Sequence, residues 1–190
     1  MEKQNILTVP HKVLYVPLNY MNTNDEVMTV PDNIQRIASE DAITHTDRLR
    51  DEMSANKLCR GVSSEFIEDA LQRGSFLLYI VKSKSPRTIE GIVIVQEKDD
   101  ALYIDLICGS NKYVGVGTYL IDQVKVIASN MGKSKLTLKS LTDSVGFYLK
   151  RGFECDELCK MKMVLKGGKR TRSVRRHRRR LRRTKGRKIL

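Results

Sequence analysis

The chemistry available to this chain is concentrated in two short runs. In the first, Lys112-Tyr113-Val114-Gly115-Val116-Gly117-Thr118, two glycines stand one residue apart between an apolar run and a stretch of helical periodicity. Glycine lets the backbone approach a ligand with no Cβ in the way. The first amides of a helix are unpaired donors at the positive end of its dipole. Such a turn suits an anion, a pyrophosphate above all, and Lys112 adds a cation. The plainer reading of Gly-x-Gly is close packing of the helix. The run is neither a Walker A loop nor a dinucleotide fingerprint, because the longer glycine spacing and the Gly-Lys-Ser/Thr ending are absent. The second run, Phe147-Tyr148 ahead of Gly152-Phe153, sets a phenol in a short helical pattern.

Positioning these runs requires a scaffold, and the pattern supplies one. Lys12 to Asn19 is β-rich and interrupted by Pro17, which marks a strand end or an edge. Pro31-Asp32 followed by Gln35 reads as a helix start, with Asp32 as cap and Ile34, Ile37 and Ala38 at helical spacing. A break is expected around Thr44-His45-Thr46 before helix resumes over Asp47–Lys57. Ser63 or Ser64 caps a shorter helix with Phe66, Ile67, Ala70 and Leu71 as its apolar stripe and Gly74 at its end. Phe76–Lys82, Ile89–Glu97 and Leu102–Ile107 then read as three strands on short turns, which only antiparallel neighbours can use. Thr118–Met131 is a helix with Leu120, Ile121, Val124 and Ile127 on one side, stopped by Gly132. Leu136–Leu138 reads as strand, Asp143–Arg151 as helix and Phe153–Leu165 as a final strand run.

Charge divides the chain. Of its 35 Lys and Arg residues, 14 lie in 166–190, where there is no Asp or Glu; residues 1–165 hold 21 basic against 22 acidic residues. The basic pI therefore belongs to the tail and not to the body. This predicts one domain over 1–165 and a disordered basic tail over 166–190. Cys59, Cys108, Cys155 and Cys159 follow no metal-ligand spacing, and no metal is expected. With no secretory signal and no membrane-length apolar run, reduced thiols in an intracellular compartment are the simple expectation.

The order of elements, taken with Lys112-x-x-Gly115-x-Gly117 and Phe147-Tyr148-x-x-x-Gly152-Phe153, resembles the GNAT superfamily of acetyl-CoA-dependent N-acetyltransferases over roughly Val9 to Leu165. The resemblance implies an α/β fold with a mixed, mostly antiparallel sheet flanked by helices, acetyl-CoA as cofactor, and an amine acceptor on a protein or small molecule. It implies that the amides of Tyr113, Val114, Gly115, Val116, Gly117 and Thr118 surround the pyrophosphate, with Lys112 where the family carries Arg or Gln. It implies that the backbone of Leu106, Ile107 and Cys108 pairs with the pantetheine arm, and that Tyr148 protonates the departing thiolate. A phenol stays protonated at neutral pH, as that role needs. Packing of the helix is the alternative role for Phe147 and Tyr148.

Two positions depart from the family pattern. Leu141 stands where an Asn is common, seven residues before Tyr148, and Ala101 stands where many members carry a glutamate base. Asp105 is then the candidate base, placed by strict alternation on the face of Tyr103 and Ile107; a half-buried structural Asp is its other reading. Holding amine and thioester together can supply much of the rate without a strong base.

The tail's cations suit nucleic-acid phosphate, without aromatics for base stacking. Nuclear addressing is the competing role, and the Gly-Gly-Lys-Arg-Thr-Arg opening resembles tails on proteins of large DNA viruses, which adds nucleus or virion to the candidate locations. The leading expectation is an N-acetyltransferase acting by direct attack. The alternative is an acetyltransferase-like protein of weak or no activity that binds nucleic acid through 166–190.

Overall fold

β-branched and aromatic runs make up most of an eight-stranded sheet, seen in a computed structural model that describes residues 5–6, 11–18, 32–38, 41–54, 58–59, 61–82, 85–110 and 113–165. The tail, Lys112 and residues 19–31 lie outside them. The elements in chain order are β1 (Asn5–Ile6), β2 (His11–Pro17), β3 (Ile34–Arg36), α1 (Ala42–Ser54), α2 (Ser64–Arg73), β4 (Phe76–Lys82), β5 (Ser85–Glu97), β6 (Ala101–Gly109), β7 (Tyr113–Val114), α3 (Val116–Asn130), β8 (Lys135–Lys139), a 3-10 turn (Thr142–Ser144), α4 (Val145–Leu149), β9 (Glu154–Cys155) and β10 (Lys160–Val164). The large sheet runs β3-β2-β4-β5-β6-β8-β10-β9, and β1 pairs with β7 apart from it.

The expected meander is present: β4, β5 and β6 are antiparallel neighbours. A return to the same sheet beyond β6 needs a crossover, and α3 provides it, so β8 lies parallel to β6. The fold is thus mixed α/β with a mostly antiparallel sheet.

Two apolar cores sandwich the sheet. On one face α3 seats Leu120, Ile121, Val124 and Ile127, all fully buried, against Phe76, Leu78, Val93, Leu102 and Ile104. Burial on this scale is worth about 1.5–3 kcal/mol per side chain, which fixes the helix to the strands. On the other face α1 and α2 place Leu49, Ile67 and Leu71 against Leu77, Tyr79, Ile92 and Ile94. Ser63 caps α2 by accepting from the Phe66 amide at 3.2 Å, while Phe66 itself points outward and leaves the expected stripe.

Several local expectations are corrected. Residues 34–36 form a strand and not a helix: β3 pairs parallel with β2, and the Ile37 amide donates to the Tyr15 carbonyl at 2.9 Å. That pairing buries Ile34 and Ile37 and outweighs the local capping signal. Helix α1 runs unbroken through Thr44-His45-Thr46, where the Thr46 hydroxyl bonds the Ala42 carbonyl at 2.8 Å. The expected single strand over 153–165 is a hairpin, because Asp156 Oδ1 accepts from the Leu158 and Lys160 amides and folds the chain back. Cys59 and Cys108 are joined by a disulfide, with Cα atoms 5.3 Å apart, so only Cys155 and Cys159 are free thiols. Spacing could not foretell that link, which joins residues 49 apart in sequence. Among the described residues no helix is long and apolar enough to cross a membrane.

Candidate functional site

The site begins where β6 and β8 part. Their parallel pairing covers Ala101↔Lys135 to Ile104↔Leu138 and then stops, while β6 continues to Gly109 paired with β5 alone. Beyond Ile104 no described strand pairs with the edge of β6 that had faced β8, so Leu106, Ile107 and Cys108 lie on a stretch open to another extended chain. Backbone donors and acceptors demand partners, and a ligand with amide groups can meet them.

A bulge sets the side chains of this stretch. Ile94 pairs with Leu106 but Val95 pairs with Ile104, so Asp105 is the extra residue. Before it, Leu102 and Ile104 face α3; after it, Leu106 and Cys108 face α1 and α2. Strict alternation therefore fails. Ile107 packs against the α3-side core, away from Asp105, and not beside it as its spacing suggested.

The glycine turn stands at the C-terminal end of β6. Gly115 is left-handed (φ 95°) and caps α3 without any side-chain bond, leaving the amides of the first turn uncapped. A Cβ at Gly115 would meet nothing within 4 Å, so the turn faces open space. Two residues that sequence reasoning passed over hold α3 in this place. Gly91 and Gly109 are cross-strand partners, and a Cβ at Gly91 would lie 2.3 Å from Val116 Cγ1. Glycine there lets the first residue of α3 sit directly on the sheet. Tyr113 and Val114 pair with β1 along one edge, so the uncapped amides centre on Val116, Gly117 and Thr118.

Helix α4 brings the second motif to the same turn. A Cβ on Gly117 would come 3.0 Å from Phe147 Cζ. Arg151, just beyond α4, donates from Nε to Thr118 Oγ1 at 3.0 Å, from Nη2 to the same oxygen, and from Nη1 to the Phe147 carbonyl at 2.6 Å. Its guanidinium lies 3.5 Å from the Phe147 ring centroid. Arg151 was missed because only its fold neighbours, and no motif, distinguish it from the other basic residues around it.

Tyr148 is 7 % exposed and packs edge-on against Phe147 and Phe153 in the α3-side core. No hydrogen bond engages its hydroxyl among the described residues. Burial pushes its pKa up to about 12, with Arg151 opposing, so the phenol holds its proton throughout the neutral range. Asp105 is not brought to Tyr148. It projects on the α2 side of the sheet, accepts from Gln96 Nε2 and lies 3.8 Å from Arg73 Nη2. Burial raises its pKa, against the pull of Gln96, Arg73 and Lys98. Leu141, at the Asn position, is 74 % exposed, whereas Ala101, at the Glu position, is buried. Neither side chain supplies a titratable group.

No protein-family model matches the chain, and no curated protein matches it. Solved structures do resemble it. A candidate N-acetyltransferase from Lactobacillus plantarum aligns with a TM-score of 0.54 at 14% identity, covering 82% of this chain and 98% of that one. GCN5 from Tetrahymena gives 0.52 at 15%, covering 84% and 98%, and the ribosomal-protein-S18-alanine N-acetyltransferase from Escherichia coli gives 0.51 at 14%, covering 66% and 92%. At such identities the likeness is one of fold: the chain has the GNAT acetyltransferase fold over its described body.

Proposed function

We propose that residues 1–165 form an N-acyltransferase domain that moves an acetyl group from acetyl-CoA to an amine acceptor by direct attack. The observation that carries this reading is the parting of β6 from β8 after Ile104↔Leu138, which opens a strand edge leading to the uncapped turn at Gly115. The residues present fit the cofactor: Leu106, Ile107 and Cys108 offer backbone to the pantetheine arm, and Val116, Gly117 and Thr118 offer amides to the pyrophosphate, flanked by Tyr113, Val114 and Gly115. Lys112 is assigned the accompanying cation from its place in the sequence.

Acetyl-CoA supplies an activated acyl carbon and a sulfur leaving group. The chain's own task is then to exclude water, align the amine and provide one proton. Tyr148 provides it: its hydroxyl is protonated, uncommitted and rooted in an aromatic cluster that restricts its rotamers. Asp105 is held on the far side of the sheet by Gln96 and Arg73, out of reach of an amine aligned with Tyr148, so the amine's proton passes to water and proximity carries the rate. The acceptor is a protein or small-molecule amine. Isothermal titration with acetyl-CoA tests the reading; one-to-one binding supports it, and no heat at high micromolar concentration overturns it.

A second reading rests on charge. With 14 cations and no anion, residues 166–190 are a basic arm that binds nucleic-acid phosphate, in a protein placed inside the cell, in a nucleus or a virion. Departures at Leu141 and Ala101 leave room for this role to outweigh turnover. Deleting 166–190 should abolish salt-sensitive binding to DNA or RNA without unfolding the body; unchanged binding would remove this reading.

A further inference from the structure

Arg151 is a half-buried cation beside the positive end of a helix, where a cation is electrostatically misplaced. Its partners among the described residues are all neutral: the Thr118 hydroxyl, the Phe147 carbonyl and the Phe147 ring face. Among the described residues no carboxylate pairs with it. Asp122, the acid whose field reaches it, is ion-paired to Lys125 at 3.1 Å. The guanidinium and the helix dipole thus add their fields at one spot, and an anion placed there satisfies both.

The hydrogen-bond inventory of Thr118 adds direction. A hydroxyl has two acceptor positions and one proton. Arg151 directs Nε and Nη2 at that oxygen from one side, so the hydroxyl proton of Thr118 points away from the guanidinium. Threonine in a helix often returns that proton to the carbonyl four residues back, as Thr46 does to Ala42, but no described carbonyl accepts it from Thr118. The O–H is a fixed donor in the first turn of α3, beside the uncapped amides.

We infer that Arg151 is the positioning cation of the cofactor's pyrophosphate site, orienting Thr118 as a hydroxyl donor to a phosphate oxygen and supplying the positive charge behind it. The inference rests on the cofactor reading above. It also gives the Phe147–Arg151 segment a role in cofactor affinity in addition to that of Tyr148.

The test uses the full chain, with Arg151→Gln, Arg151→Lys and Thr118→Val, titrated with CoA, 3′-dephospho-CoA and pantetheine. Arg151→Gln should weaken CoA and 3′-dephospho-CoA alike, by at least about tenfold relative to pantetheine, and flatten the salt dependence of CoA binding. Arg151→Lys should keep that salt dependence while recovering only part of the affinity, since an ammonium cannot match the fork. Thr118→Val should lower the CoA-to-pantetheine preference in the same direction. Equal loss for CoA and pantetheine would reduce Arg151 to packing and overturn the inference. Loss confined to CoA, sparing 3′-dephospho-CoA, would move the contact to the 3′-phosphate and overturn the pyrophosphate assignment. CoA binding that is intact in Arg151→Gln sinks this inference alone, whereas a wild-type chain that binds no CoA sinks the cofactor reading with it.

Discussion

Gly117 and Phe147 touch across the interface between α3 and α4: a β-carbon on the glycine would lie 3.0 Å from the ring's Cζ. Thirty residues separate them in sequence, and this one contact explains why a glycine turn and an aromatic pair occur together. The ring of Phe147 fills the space that the missing side chain leaves, and Arg151 stacks on the same ring while gripping Thr118. The two motifs are halves of one packed unit.

Filling that space should therefore disturb both halves. Gly117→Val forces Phe147 to move and should cost about 1–3 kcal/mol of stability, as overpacking does. Gly117→Ala should cost less, because the neighbour needs to yield only slightly. Urea denaturation of the two variants checks the order Val worse than Ala.

Tyr148→Phe removes the proposed proton donor and keeps the ring. Turnover should fall by about 10²-fold or more while cofactor affinity holds. Burial raises the folded pKa of Tyr148 from about 10 to about 12. The neutral phenol is therefore favoured in the fold, so its contribution to stability is full below about pH 10 and is lost as pH rises toward about 12. In Tyr148→Phe that part of the alkaline loss should disappear.

Asp105 has the same sign at the opposite end of the scale. Its pKa is raised by burial, so the protonated form is favoured in the fold, and its stabilisation is present below the ordinary carboxylate value and lost as pH rises through the folded one. Asp105→Asn, which mimics the protonated carboxyl, should raise stability at neutral pH and flatten its acid dependence. Because Asp105 faces away from Tyr148, turnover and acetyl-CoA affinity should both hold in this variant; a fall in turnover with affinity kept would make Asp105 the base.

The Cys59–Cys108 link ties the connection between α1 and α2 to the open part of β6. By chain entropy a loop of this length is worth about 4 kcal/mol, and measured values for native bridges run about 2–5 kcal/mol. Cys59→Ser should lower the denaturation midpoint accordingly, and the wild-type midpoint should fall with a dithiol reductant. Intact mass under non-reducing conditions checks the bond itself.

The strand runs from Phe76 onward were legible because buried strands carry dense β-branched sequence, and α3 was legible from its four-residue stripe. The region around Ile34 was not, since its partner β2 lies far back in the chain and local capping chemistry pointed the other way. The bulge at Asp105 has no signal in alternation; it appears only as a shift of register against β5. Gly91 reads in sequence as one glycine in a strand, and its purpose is visible only when Val116 is seated over it. Arg151 sits among ordinary surface cations in the sequence, and folding alone gives it Thr118. The disulfide is likewise set by packing, since Cys59 and Cys108 both lie in the core on the α1–α2 face, and not by spacing.

The claim that the open edge of β6 and the first turn of α3 form one cofactor site is tested most directly by hydrogen exchange of the full chain with and without acetyl-CoA. Protection should rise together at Leu106–Cys108 and at Val116–Thr118. Binding that protects neither segment, or that protects only the α1–α2 face, would contradict it.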